Sequence, residues 1–73
     1  MKNQETTSKL YYTERAFDEL ISYYERRIEY WYSQTGELPE EEINGYVGMF
    51  QDDKNNTENI KELIIQAIRK GVI

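Results

Sequence analysis

Apolar side chains recur every three or four residues from Phe17 through Leu20, Ile21, Tyr24 and Ile28 to Trp31, the spacing that lines one face of an α-helix. Thr13 sits where an N-cap hydroxyl would serve this run, and Glu14 follows in the first turn, where a negative charge suits the helix dipole. Arg15 precedes Asp18 and Glu19, and Arg26 precedes Glu29, at the three- and four-residue spacing of ion pairs on a solvent face. Gly36 supplies a C-terminal stop. The pattern predicts a long first helix over 13–34, at about 1.5 Å per residue some 33 Å long.

A second apolar set, Ile43, Tyr46, Val47 and Phe50, follows Pro39 and three glutamates, a proline and an acidic first turn that favour a helix start. It predicts a helix over 39–51. Gly45 and Gly48 weaken it by about 1 kcal/mol each relative to alanine, and serve either a close backbone approach or an irregular segment. QDDKNN, residues 51–56, reads as a polar turn. Asn55 and Glu58 then form a capping-box-like opening for a third helix over 57–70, with Ile60, Leu63, Ile64, Ala67 and Ile68 as its core face and Gly71 as its stop. Val72 and Ile73 are expected to fold back onto that core. Residues 1–9 are polar and aperiodic and read as a flexible tail, leaving 10–73 as the single folded domain.

The expected fold is therefore all-α, a small three-helix bundle with the long first helix as its spine and part of that helix projecting beyond its neighbours. A domain of 73 residues buries only about 60% of the surface its unfolded chain exposes, so dimerisation or a bound partner is expected to complete the core.

Composition narrows the chemistry. The chain contains neither cysteine nor histidine, which removes disulfides, thiolate nucleophiles, common structural zinc sites and the usual general base of hydrolases. Carboxylate di-metal sites in helical bundles also need Glu-x-x-His pairs. A calcium loop starting at Asp53 would place Glu58 where glycine is required and Ile64 where a bidentate glutamate is required. No glycine-rich turn leads to Lys-Ser or Lys-Thr to hold a phosphate. The expectation is a protein that is not an enzyme and carries no metal or cofactor. The opening MKNQETTSK lacks the apolar core of a signal peptide, and no apolar run approaches the ~20 residues of a membrane span, so a cytoplasmic location and no membrane partner are expected.

Fourteen acidic against nine basic residues leave a net charge of −5. Direct nucleic-acid binding is not expected: a reading helix from Asn56 would carry Glu58 and Glu62 beside Asn59 and Lys61, and the Arg69-Lys70 doublet complements a helix C-terminus. Two features point instead to macromolecular contact. Seven tyrosines and one tryptophan, most of them in 13–34, exceed what a single buried stripe accommodates. Tyr23, Arg26, Arg27, Tyr30, Trp31 and Tyr32 are the expected partner-binding residues, since tyrosine, tryptophan and arginine combine large contact area with polar tips; Trp31 also fits the core by its register. The partner is another protein or a second copy. The favoured function is a regulator, inhibitor or adaptor, of the compact acidic kind that phages and mobile elements encode. The alternative is a nucleic-acid mimic, with Glu37, Glu40, Glu41, Glu42, Asp52 and Asp53 standing in for phosphates and blocking a DNA- or RNA-binding protein.

Overall fold

Leu10, Phe17, Tyr24 and Trp31 recur every seven residues, as do Glu14, Ile21 and Ile28, and every one of these side chains is half-buried in the computed structural model, which describes residues 2–73 and their side chains from Gln4 onward. The same double register runs through Ile43, Phe50, Thr57 and Ile64 and through Val47, Lys54, Lys61 and Ile68, all buried or half-buried. A seven-residue repeat of this kind keeps one seam of a helix facing a neighbouring helix. The architecture follows from it: two helices, α1 (Lys2–Tyr32) and α2 (Glu40–Arg69), pack antiparallel as a hairpin.

The fold is all-α, but it is not a three-helix bundle. Residues 51–56, expected as a turn, lie inside α2, and the expected helices over 39–51 and 57–70 are one continuous helix. Between Gly48 and Gly71 there is no glycine or proline to force a break. The seam positions inside the polar stretch are filled by Lys54 and, just after it, Thr57. Lys54 carries its ammonium to Glu25 at 3.7 Å, and the Thr57 hydroxyl donates to the Asp53 carbonyl one turn back at 2.7 Å. Asn55 and Glu58, read as a cap, are exposed residues within α2.

The N-terminal expectation also changes. α1 starts at Lys2, so residues 2–9 continue the helix as its first two turns and Thr13 lies inside it rather than capping it. Met1, the remaining residue of the expected tail, lies outside the described residues. The register that pairs Asp18 with Lys61 and Glu25 with Lys54 brings Arg69 level with about residue 10, so the first two turns of α1 project beyond the end of α2.

The connection and the end of α2 carry the glycine and proline conformations that their sequence calls for. After α1, Gly36 takes φ +93° in the connection. The Glu37 and Leu38 amides donate to the Gln34 carbonyl, and Pro39 stands immediately before α2, where its carbonyl accepts from Glu42 and Ile43. At the other end Gly71 adopts φ +77°, with its own amide on the Ile68 carbonyl and the Val72 amide on the Ala67 carbonyl. This pair of bonds is the Schellman motif, which needs a left-handed residue at that position. Val72 and Ile73 do not return to the core and remain 73% and 55% exposed.

The molecule is a rod with extents of 56 × 15 × 9 Å and a radius of gyration of 16.6 Å, against about 11 Å for a compact domain of this length. Only Ile43, Val47 and Ile68 are buried apolar side chains among the described residues.

Gly45 and Gly48 both lie on the outer side of α2, and a Cβ at either position would meet nothing within 4 Å. Within one chain these glycines thus serve no close approach. Gly45→Ala and Gly48→Ala are each expected to raise stability by roughly 0.5–1 kcal/mol through helix propensity, read as an increase in the urea midpoint.

Candidate functional site

Three contacts across the seam set the register of the hairpin. Asp18 lies opposite Lys61 at 2.7 Å, Glu25 lies opposite Lys54 at 3.7 Å, and the Trp31 indole stacks on Tyr46 at 4.1 Å with 10° between the planes. Lys54 and Lys61 thus occupy seam positions with their alkyl stems while their ammonium groups reach α1 carboxylates at the edge. Hydrogen bonding to Asp18, helped by the nearby Glu14 and Glu58 carboxylates, raises the Lys61 pKa above its ordinary 10.5 against a partial loss of solvation.

A group whose pKa is raised on folding stabilises the fold below its unfolded pKa and loses that contribution as pH rises through the folded value. The Asp18 carboxylate is largely exposed, and exposed pairs contribute about 1 kcal/mol or less. The stability gap between wild type and Asp18→Asn is therefore expected to be small at neutral pH and to close above about pH 10.5, measured by urea unfolding at several alkaline pH values.

The seam covers only part of each helix's apolar surface. One residue before, or three after, each of the first seam positions comes a second stripe. On α1 it contains Ala16, Leu20, Tyr23, Arg27 and Tyr30; on α2 it contains Tyr46, Met49, Ile60, Leu63 and Ala67, with Asp53 and Asn56 between them. Both helices are right-handed and run in opposite directions, so stripes displaced in the same sense from their seams fall on the same side of the hairpin. Together they make one face, along which Leu20 is 40%, Tyr23 44%, Tyr30 48%, Met49 51%, Ile60 51% and Leu63 67% exposed. Leu20, Ile60 and Leu63 were expected in the core; with no third helix to cover them, they face outward.

Of the expected partner-binding residues, the structure gathers Tyr23, Arg27 and Tyr30 on this face, with Trp31 at its edge. The Arg27 guanidinium lies over Tyr30 at 4.9 Å, Phe50 at 5.7 Å and Trp31 at 5.8 Å, geometry suited to cation–π attraction. Its Nε and the Trp31 Nε1 are enclosed without a hydrogen-bond partner. Trp31 is chiefly a seam residue, half-buried against Tyr46. Arg26 and Tyr32 are exposed on the outer side of α1, away from the other four.

The α2 half of the face was missed by sequence reading. Its signal is present, because Tyr46, Met49, Asp53, Asn56, Ile60, Leu63 and Ala67 alternate three- and four-residue steps, but the steps run through the stretch read as a turn.

The acidic residues divide in the same way. Glu37 lies in the connection, Glu40, Glu41 and Glu42 form the first turn of α2, where they complement its dipole, and Asp52 faces outward from α2. Asp53, by contrast, lies within the apolar face. All six are exposed, but they do not form one continuous row. Among the described residues, no helix is long and apolar enough to cross a membrane, and no group of three Asp, Glu, His or Cys side chains is gathered as a cation cage.

No protein-family model matches this chain, and neither a curated protein nor a solved structure shows significant similarity to it.

Proposed function

We propose that this chain is a non-catalytic docking protein, a regulator, inhibitor or adaptor that works by seating its apolar helical face on another protein surface. The observation that carries this reading is the shared face of Leu20, Tyr23, Tyr30, Met49, Ile60 and Leu63, whose members are 40–67% exposed in a chain with only three buried apolar side chains among the described residues. Surface this apolar and this contiguous marks an interaction site, and tyrosine beside arginine is the composition of interface centres. A protein without histidine or cysteine has few groups for acid–base or nucleophilic work, which supports a binding role.

The test is capture from lysate of the native host on immobilised wild-type chain and on a Tyr23→Ser/Tyr30→Ser variant, with nuclease treatment and washes at low and high salt. Retention of a specific protein at high salt by wild type, and its loss by the variant, is the expected result. Equal capture by both chains would remove the face from the function. Capture abolished by salt and displaced by added DNA or RNA would favour the acidic surface as a nucleic-acid mimic instead.

A further inference from the structure

The apolar face is self-complementary, and we infer that its occupant is a second copy of this chain, forming an antiparallel four-helix bundle with both connections at the same end. The inference rests on the reading of this face as a docking surface and names what covers it until a partner protein takes the second copy's place.

The surface area fits such an assembly. The chain exposes 5715 Å², roughly 900 Å² more than the ~4,800 Å² of a compact monomer of 8.8 kDa. That excess matches the ~800 Å² that each partner contributes to a stable interface. The pattern fits as well. Helices of a four-helix bundle carry an apolar band wider than one seam, facing one neighbour on each side of the core. Here one side of the band is covered by the other helix of the hairpin, and the other side is uncovered on both helices alike.

Residue matching decides the arrangement. A two-fold axis along the rod sets α1 of one copy against α2 of the other at the same height, and the contacts at 18–61, 25–54 and 31–46 define which residues share a height. Leu20 then meets Ile60 of the second copy, Tyr23 meets Asn56, and Arg27 meets Asp53. Apolar faces apolar along most of the stripe, and Tyr23 and Arg27 each meet a polar group of suitable chemistry. Within one chain Arg27 and Asp53 are at nearly the same level, yet Arg27 Nε is enclosed and unpartnered. Setting the connections at opposite ends would instead pack α1 against α1, and the stripe from Thr13 to Tyr30 contains no acidic residue for Arg27. A charged pair inside a bundle core penalises every register that separates its members, so Arg27 and Asp53 would select this one.

The experiment is sedimentation equilibrium on full-length wild type, Arg27→Asp, Asp53→Arg and an equimolar mixture of the two variants, with helicity followed by circular dichroism. Wild type is expected at twice 8.8 kDa. Each variant alone faces like with like in both interchain pairs and is expected to associate at least about 100-fold more weakly. The mixture re-creates both opposite-charge pairs between chains and is expected to recover the dimer. Recovery requires interchain pairing, because each variant still carries like charges within its own chain.

A wild type that stays monomeric across the micromolar range overturns the inference, as does a dimer indifferent to both substitutions or a mixture that fails to recover. A monomeric wild type whose capture of another protein still depends on Tyr23 and Tyr30 would leave the docking function standing and remove only the second copy. A dimer unaffected by Tyr23→Ser/Tyr30→Ser would instead count against the face itself.

Discussion

Asn56→Pro is expected to destabilise the protein by about 3 kcal/mol or more, the cost of proline in a helix interior. Position 56 lies near the middle of α2, between Phe50 and Ile64 of the seam. The pyrrolidine ring would remove the amide bond to the carbonyl four residues back, clash with that carbonyl, and push residue 55 out of helical geometry. Both seam halves of α2 would then lose alignment with α1, so Val47 and Ile68 could not both stay packed. Asn56→Ala is the control, since it removes the same side chain while favouring the helix; its stability should match or exceed wild type. Urea unfolding followed by circular dichroism distinguishes them. If residues 51–56 were a turn between two helices, proline at 56 would cost little, and near-equal midpoints for the two variants would refute the continuous α2.

Trp31→Ala should cost about 3 kcal/mol, near the lower end of the range for deleting a large aromatic from a core because the indole is only half-buried. The loss has identifiable parts. The 4.1 Å stack on Tyr46 disappears, as does the edge contact with Tyr30 at 5.2 Å, and Arg27 loses one of its three aromatic faces. Trp31 is also the last seam residue of α1 before the connection, so its removal frees the end where Ile43 and Val47 provide most of the burial. A protein with so few buried side chains has little reserve, and the variant is expected to lose much of its helicity at 37 °C. Trp31→Phe, which keeps an aromatic ring against Tyr46, should recover at least half of the loss. A Trp31→Ala chain with wild-type midpoint would show that the aromatic layer is not structural and would leave Trp31 only its expected partner-facing role.

Much of the helical content was legible in the residues. The three- and four-residue apolar spacing of Phe17 to Trp31 identified most of α1, and Gly36, Pro39 and Gly71 marked the ends because each has a backbone requirement that does not depend on distant contacts. The break expected at 51–56 failed for a different kind of reason. Asp and Asn disfavour helix interiors by less than about 1 kcal/mol each, and packing of Lys54, Thr57 and Lys61 against α1 outweighs that preference. α1 also extends upstream to Lys2, where local sequence offers little apolar periodicity.

For the candidate site, the excess of tyrosine over what one stripe can bury was visible in composition, and it pointed to Tyr23, Arg27 and Tyr30, which share the uncovered face. Tyr46, Met49, Ile60 and Leu63 were not, since Ile60 and Leu63 look like core residues in any short helix. The sequence by itself determined that the chain is helical, where its connection lies and where α2 stops, and that its aromatic surface is in excess. Only the tertiary structure decided that two long helices replace three short ones and which apolar stripe remains uncovered. Helix ends follow from local backbone geometry, whereas burial depends on which distant residues arrive at the same height across the seam.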